Sequence, residues 1–416
     1  MNDWTLINLG DGLNVKHGYA FKGEHFSDHG DYVVLTPGNF WEHGGFKVSR
    51  RPKFYSAEFP ERYLLTKGDV VVAMTEQSPG LLGSSATIPS DGIFLHNQRL
   101  GLLEITTPRV LDLRFVYHLM NSSDVRGQIE ATATGSKVRH TAPERILAVK
   151  ALVPSTDVQR TIAEVLDTLD DLIDNNRRRV ELLEQMAEAI YREWFVHFRY
   201  PGHEAVPMVD SPLGPIPEGW KVRPFSAIAR FMNGFAFKPS HWGAFGRPII
   251  KIRELKQGVT GDTPRCDQSQ VDTKYWVEPG DLLFSWSADL GVYRWSNEPG
   301  LLNQHLFKVT SADDLSLAFL QQALHQAVDK FWHRAQGTTM RHIKRSALSE
   351  VFTVVPPRHV ESRFADLTEP IIREAMVLHK SNRWLVAIRD LLLPKLVTGQ
   401  IDVSDLDLDA LVGSAT

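Results

Sequence analysis

Cysteine is nearly absent from this chain of 416 residues: Cys266 stands alone. One thiol cannot close an internal disulfide, so nothing here calls for an oxidising compartment. Apolar residues never run for the ~20 positions of a membrane-spanning helix, and the N-terminus lacks a basic stretch followed by an apolar run. A cytoplasmic protein, without contact to a membrane, is expected. Catalytic signatures are missing too: no GxxxxGK[ST] phosphate loop, no HExxH, no GxSxG elbow and no paired-cysteine zinc spacing occurs. An Asn-Pro-Pro-aromatic or Asp-Pro-Pro-aromatic site of an amino-methyltransferase is also lacking. Of the 16 histidines, His25 and His241, like His140 and His342, match across the chain's two halves, each recurring once per half rather than as a ligand cluster. Isolated histidines are usually surface or packing residues, which argues against a metal site. These absences point to a binding protein rather than an enzyme.

Charge is low overall, with a net of -4, and phosphate neutralisation needs clustered Lys and Arg. The distribution is more permissive than the total. Residues 218–357 carry 17 Lys and Arg against 13 Asp and Glu, residues 1–155 balance at 16 against 16, and residues 156–200 carry 6 against 10. The acid is concentrated between two larger blocks.

Those two blocks are versions of one another. Trp4 returns as Trp220, and GYAFKGEHF from Gly18 returns as GFAFKPSHW from Gly234. Tyr63, Gly68 and Asp69 recur as Tyr275, Gly280 and Asp281, Asn97-Gln98 as Asn303-Gln304, and GSKVRH from Gly135 as GTTMRH from Gly337. The offset narrows only from 216 to 202 residues by Val153-Pro154 and Val355-Pro356. One ancestral unit, duplicated and then trimmed in its loops, accounts for this. Short apolar runs bounded by Gly, Pro and Asp, such as GDVVVAM and GDLLFSW, mark each unit as mixed α/β. Helices are expected near Leu113 to Met120 and Leu317 to Phe331.

Each unit is followed by a helical stripe. Ile162, Leu166, Leu169, Ile173, Asn176, Val180, Leu183, Ala187, Ile190 and Trp194 alternate by three and four residues, the seam of a coiled coil. A second seam runs through Phe364, Leu367, Ile371, Ala375, Leu378, Asn382, Leu385, Ile388 and Leu392, with a four-four step at Ile371 to Ala375, and Pro394 is expected to end it. Two such helices can bury their stripes against each other as an antiparallel spacer of roughly 50 Å. Asn176 and Asn382 then fall opposite one another, where a buried amide pair sets register. The divisions are 1–155, a first unit; 156–200, a central helix; 201–219, a Pro- and Gly-rich linker; 220–357, a second unit; 358–396, a C-terminal helix; and 397–416, a tail.

The retained loops suit a polyanion. In GYAFK and GFAFK the aromatics can anchor the loop while Lys22 and Lys238 reach phosphate. In the second loop, Lys137, Arg139 and His140 face Thr338, Arg341, His342 and Lys344 of the other unit; glycine and hydroxyl expose donors, and arginine can fork onto phosphate or guanine. A solvated helix N-terminus is the plainer alternative there. TEQSPGLLGSS from Thr75 and SWSADLGVYRW from Ser285 occupy equivalent places yet differ in polar residues, as two modules reading different sequences would.

With Trp4 and PEGW ending at Trp220, the two AFK loops, the Gly-Asp strands, GTTMRHI, REWFVHF and LLLPKLVTGQI, the chain resembles a specificity subunit of a type I restriction-modification system. The resemblance covers nearly its whole length. It implies two similar target recognition domains separated by two long antiparallel coiled-coil helices in a pseudo-twofold repeat. Each domain would read one half of a split site in double-stranded DNA. It further implies two methyltransferase subunits and restriction/translocase subunits as partners, with S-adenosylmethionine, ATP and Mg on those partners and no cofactor here. A methylation-only complex fits the same resemblance. A coiled-coil scaffold binding only protein partners is the competing reading.

Overall fold

The computed structural model describes residues 4–42, 44–47, 49, 51–77, 80–335 and 342–403. Contacts divide the chain into two units, one of residues 1–172 with 385–416 and the other of residues 173–384. Both long helices are therefore shared, each beginning in one unit and ending in the other.

In the first unit, Leu13–His17, Leu100–Ile105, Val70–Ala73 and Ser85–Thr87 form an antiparallel four-stranded sheet in that order. A second sheet orders Phe26–Ser27, Phe54–Tyr55, Val33–Val34 and Phe94–Leu95, the last two in parallel. Thr5–Asn8 pairs with Lys150–Val153, so the two ends of the repeat lie side by side. In the second unit Ala229–Asn233, Leu306–Ser311, Leu282–Ser285 and Gly291–Arg294 repeat the first sheet strand for strand. Arg265–Cys266, Arg247–Ile250, Gly300–Leu302 and Trp276–Val277 form the second, and Lys221–Pro224 pairs with Phe352–Val355. The duplication seen in the sequence is thus a duplication of topology.

The two expected helices are present at Leu113–Met120 and Leu317–His333. Both start on a side-chain cap: Asp112 accepts from the Arg114 and Phe115 amides, and Ser316 from the Phe319 amide. Further α-helices not among the expected ones run Ser123–Ala131, Pro143–Leu147, Phe225–Ile228, Ile252–Gln257 and Ala347–Glu350.

The central helix runs Thr156–Tyr191 and continues as a π-turn through Arg192–Val196. The C-terminal helix runs Arg358–Val397. Within residues 173–384, Arg179 pairs with Glu374 (3.0 Å) while the Asn382 amide donates to the Ile173 carbonyl (3.1 Å). Residue numbers fall on one helix as they rise on the other, so the pair is antiparallel. The ends of the seams do more than face each other. Ile162, Ala163 and Leu166 join Leu393, Leu396 and Val397 in the first unit's core, and Tyr191, Trp194, Phe195 and Phe364 join the core of the second. Rings of that size suit a globular interior better than the narrow holes of a coiled coil.

Three details depart from the heptad reading. Ile388 is 42% exposed, and Arg389 beside it is buried on Asp170. Leu367 is 48% exposed, and Thr368 is fully buried in its place, its hydroxyl donating to the Phe364 carbonyl (2.8 Å). A hydroxyl satisfied within its own helix costs the interior little, so polarity hid this seam position. Pro394 does not stop the helix, which continues to Val397. An interior proline costs ~3 kcal/mol, whereas burying Leu393, Leu396 and Val397 returns roughly 1.5–3 kcal/mol each.

A polar network fastens the helices to the first unit. His118 Nε2 donates to Asp167 (2.7 Å), Arg114 Nε donates to the same carboxylate (2.6 Å), and Arg389 Nη1 donates to Asp170 (2.9 Å). Burial pushes the Asp167 carboxyl up, but the His118 and Arg114 bonds outweigh it and leave its pKa below the usual carboxylate value. A depressed carboxyl stabilises the fold above its unfolded pKa of about 4 and loses that contribution as pH falls through the folded value. Unfolding of the first unit followed between pH 6 and pH 2 should therefore show a loss at the acid end. Asp167→Asn should flatten that part of the curve, and an unchanged acid slope in the variant would contradict the assignment.

Candidate nucleic-acid interface

The AFK loops are fixed by a close approach of backbones. A Cβ on Gly18 would lie 2.1 Å from the Asn97 carbonyl oxygen, and one on Gly234 would lie 2.2 Å from that of Asn303. Tyr19 N donates to His96 O (2.8 Å) and Gln98 N to Tyr19 O (3.0 Å); Phe235 N donates to Leu302 O (2.8 Å) and Gln304 N to Phe235 O (3.0 Å). Two motifs that recur far apart in sequence, the AFK glycine and Asn-Gln, are thus halves of one contact. The rings pack within the unit, as an anchor would: Phe21 meets Tyr55 edge-on at 4.8 Å and Phe235 meets Tyr275 at 5.6 Å. Lys22 and Lys238 are left exposed, each entering a short 3-10 turn.

In the first unit the second retained loop is a hairpin turn, not a helix N-terminus. Thr134 and His140 exchange both backbone hydrogen bonds, at 3.0 and 2.8 Å, and Gly135 at φ +97° leaves no room for a side chain beside the Val138 carbonyl. Lys137 and His140 are exposed. Arg139 is committed internally: its Nη1 donates to Glu76 (3.1 Å) and its Nη2 to the Glu130 carbonyl (2.7 Å). It latches the hairpin rather than offering a free fork to DNA. In the second unit Thr338 and Arg341 lie outside the described residues. His342 is half-buried, bridged to Ser287 and edge-on to Trp286 at 6.3 Å. Lys344 is exposed, while Arg345 donates to Asn233 Oδ1 and the Phe231 carbonyl, both at 3.0 Å.

Glu76 and Arg126, which sequence reasoning missed, shape the first unit's variable loop. The buried Glu76 carboxylate accepts from the amides of Gly80, Leu81 and Leu82 at 3.1, 3.0 and 2.9 Å while holding Arg139. Arg126, also buried, donates to the carbonyls of Glu42 and Gly80 and ties two loops together. In the second unit the corresponding place is held by rings: Trp286 lies 5.8 Å from His305, whose Nδ1 is 3.1 Å from the Ser287 hydroxyl. The same scaffold therefore supports two loops by different chemistry. A readable signal was also overlooked, since residues 219–253 hold seven Lys and Arg and no Asp or Glu. Arg223, Arg247 and Arg253 are paired with acids elsewhere, which leaves Lys221, Arg230 and Lys238 exposed.

Of the two asparagines expected to set register, Asn382 bonds to backbone of the facing helix rather than to Asn176. Asn382 is part-buried and donates to the Ile173 carbonyl, three residues before the half-buried Asn176. Among the described residues, no helix is long and apolar enough to cross a membrane.

Comparison with known proteins agrees with this geometry. Residues 1–185 match the type I restriction modification DNA specificity domain. The chain is 24% identical over 308 residues to the type I restriction enzyme MjaIX specificity subunit of Methanocaldococcus jannaschii, covering 70% of each. It is 26% identical over 199 residues to the EcoBI specificity subunit of Escherichia coli, covering 46% of this chain and 41% of that one. The solved S subunit of a type I restriction-modification system from M. genitalium shares the fold, with a TM-score of 0.57 at 15% identity over 95% of this chain and 96% of that one. The comparisons thus show a type I restriction modification DNA specificity domain over residues 1–185, and similarity along most of the chain to type I restriction enzyme specificity subunits.

Proposed function

We propose that the chain is the DNA-recognition subunit of a type I restriction-modification complex, reading a split target with one half-site per unit. The observation that carries this is one scaffold kept twice with two different loops upon it. Both units retain the same sheet order, the same glycine-to-asparagine approach and an exposed lysine. Yet the loop at Thr75 is held by the Glu76 carboxylate on its own amides and Arg139, and the loop at Ser285 by the rings of Trp286 and His305 with the Lys256–Asp289 pair. In this reading the subunit performs no chemistry. S-adenosylmethionine, ATP and Mg belong to methyltransferase and restriction/translocase partners, or to methyltransferases alone in a methylation-only system.

Phosphate anchoring is tested at the repeated lysines. Lys22→Ala and Lys238→Ala should each weaken binding to selected and unselected duplexes alike and lower the salt slope of log K by about one unit. Loss of preference at one base pair with the slope unchanged would place that lysine at a base edge instead. Failure of the intact chain to bind any duplex, alone or with its partners, would leave the protein-scaffold reading.

Docking of partner subunits has its own support in residues 173–384. Leu182 and Met186 on one helix, and Val377 and Trp384 on the other, are between 51% and 65% exposed and lie at helical spacing. Apolar rows on a solvent face mark a protein contact. Leu182→Glu with Trp384→Glu should abolish co-purification with the methyltransferase subunit and leave DNA affinity of the chain intact. Normal assembly of the double variant would move the contact elsewhere.

A further inference from the structure

Phe245 is the most exposed large apolar side chain among the described residues, at 86%. Exposure of a phenyl ring costs the fold apolar burial, and nothing around it is loose enough to explain it as a mobile tip. The turn that carries it is fastened on both sides. Gly243 N donates to the Arg265 carbonyl (2.9 Å), and Arg265 Nη1 donates to the Gly246 carbonyl (3.0 Å). Gly246 sits at φ +100°, where a Cβ would lie 2.2 Å from the Cys266 carbonyl oxygen. The flanking residues are thus held against the strand Arg265–Cys266 while the ring between them stands in solvent.

Its surroundings specify the occupant. Trp242, three residues earlier, is 49% exposed, with the Lys251 ammonium over its ring at 4.9 Å. Lys238 opens the same loop and is exposed. The loop lies within the stretch 219–253 that has seven basic residues and no acid. An apolar wedge flanked by cations, with no carboxylate of its own segment beside it, is complementary to stacked bases between two rows of phosphates. The acids that bond its neighbours, Glu298 on Arg265 and Glu278 on Arg247, are each paired with an arginine.

From this geometry we infer that Phe245 enters the base stack of duplex DNA at one step of the second unit's half-site. Lys238 and the Trp242–Lys251 pair hold the adjacent phosphates. The inference rests on the DNA-reading function above and adds where, and by what contact, the duplex is deformed. Specificity then comes in part from the energy of opening that step, which is least for pyrimidine–purine steps.

The intact chain, with duplexes selected by it from a random pool, provides the test. Permanganate reactivity of thymines reports unstacking. Wild type should give one hyper-reactive position in one half-site. Phe245→Ala should abolish it and weaken binding to the selected duplex by roughly 10- to 100-fold, with the salt slope and affinity for an unselected duplex unchanged. Phe245→Leu, which keeps an apolar wedge, should restore part of both signals. Equal affinity and equal reactivity in wild type and Phe245→Ala would overturn the wedge while leaving DNA recognition standing. Loss of partner-subunit assembly in Phe245→Ala with DNA binding intact would make the ring a protein contact. No binding of any duplex by wild type would overturn both readings.

Discussion

Glu76→Ala should be among the most damaging single substitutions in the first unit, although Glu76 belongs to no recognised motif. Its carboxylate accepts three consecutive loop amides and pairs with Arg139. Alanine would strand one buried and two part-buried amides and a guanidinium at once. With Arg139 37% exposed the loss falls short of a fully buried pair and is on the order of 2–3 kcal/mol, and at roughly 2–4 °C per kcal/mol for a unit of this size the first unit should melt about 4–12 °C lower. Glu76→Gln keeps one acceptor oxygen and should lose less. Function should follow structure locally: preference at one half-site should blur while the other stays as sharp as in wild type. Differential scanning calorimetry and sequencing of selected duplexes read the two effects separately. A fall of less than ~1 kcal/mol would mean that the loop is held by something else.

The second large effect is expected at the repeated glycines. Gly18 and Gly234 have no positive φ, so their requirement is one of space. A methyl group facing a backbone oxygen at about 2 Å cannot be relieved by a rotamer change; two hydrogen-bonded segments must separate. Overpacking of this kind costs on the order of 3 kcal/mol. Gly18→Ala should lower the first unfolding transition and Gly234→Ala the second, each leaving the other in place. Because Asn97-Gln98 and Asn303-Gln304 carry the opposing strands, the same variants should also loosen the lysines that follow in the AFK loops. If either alanine variant melted like wild type, the close approach would not be what preserves these glycines.

What the sequence disclosed was the part written in repetition and periodicity. The doubled landmarks imply two units with one topology, and the strand order of the two main sheets matches them. The seam residues Ile162, Leu166, Val180 and Ala187 are buried, because a stripe at alternating three and four residues has only one face to offer. Thr368 escaped that pattern because its hydroxyl is satisfied inside its own helix, and Leu367 took its place in the reading for being apolar. Arg139 shows the limit for site residues. An arginine in a glycine-hydroxyl loop reads as a phosphate ligand until its partner is known, and the partner, Glu76, lies 63 residues away in a loop read only as variable. Phe245 was passed over because a lone phenylalanine in a chain with 21 of them is assigned to a core; only its exposure on a fastened turn sets it apart.

The central claim is that two units read two separated blocks of duplex DNA. Selection of duplexes from a random pool by the intact chain, alone and with the methyltransferase subunit proposed as its partner, followed by sequencing, tests it most directly. Two fixed blocks separated by a constant gap of unspecified bases are the expected result, with substitutions in Thr75 to Ser85 changing one block alone. A single contiguous motif, or no enrichment over the starting pool, would contradict it.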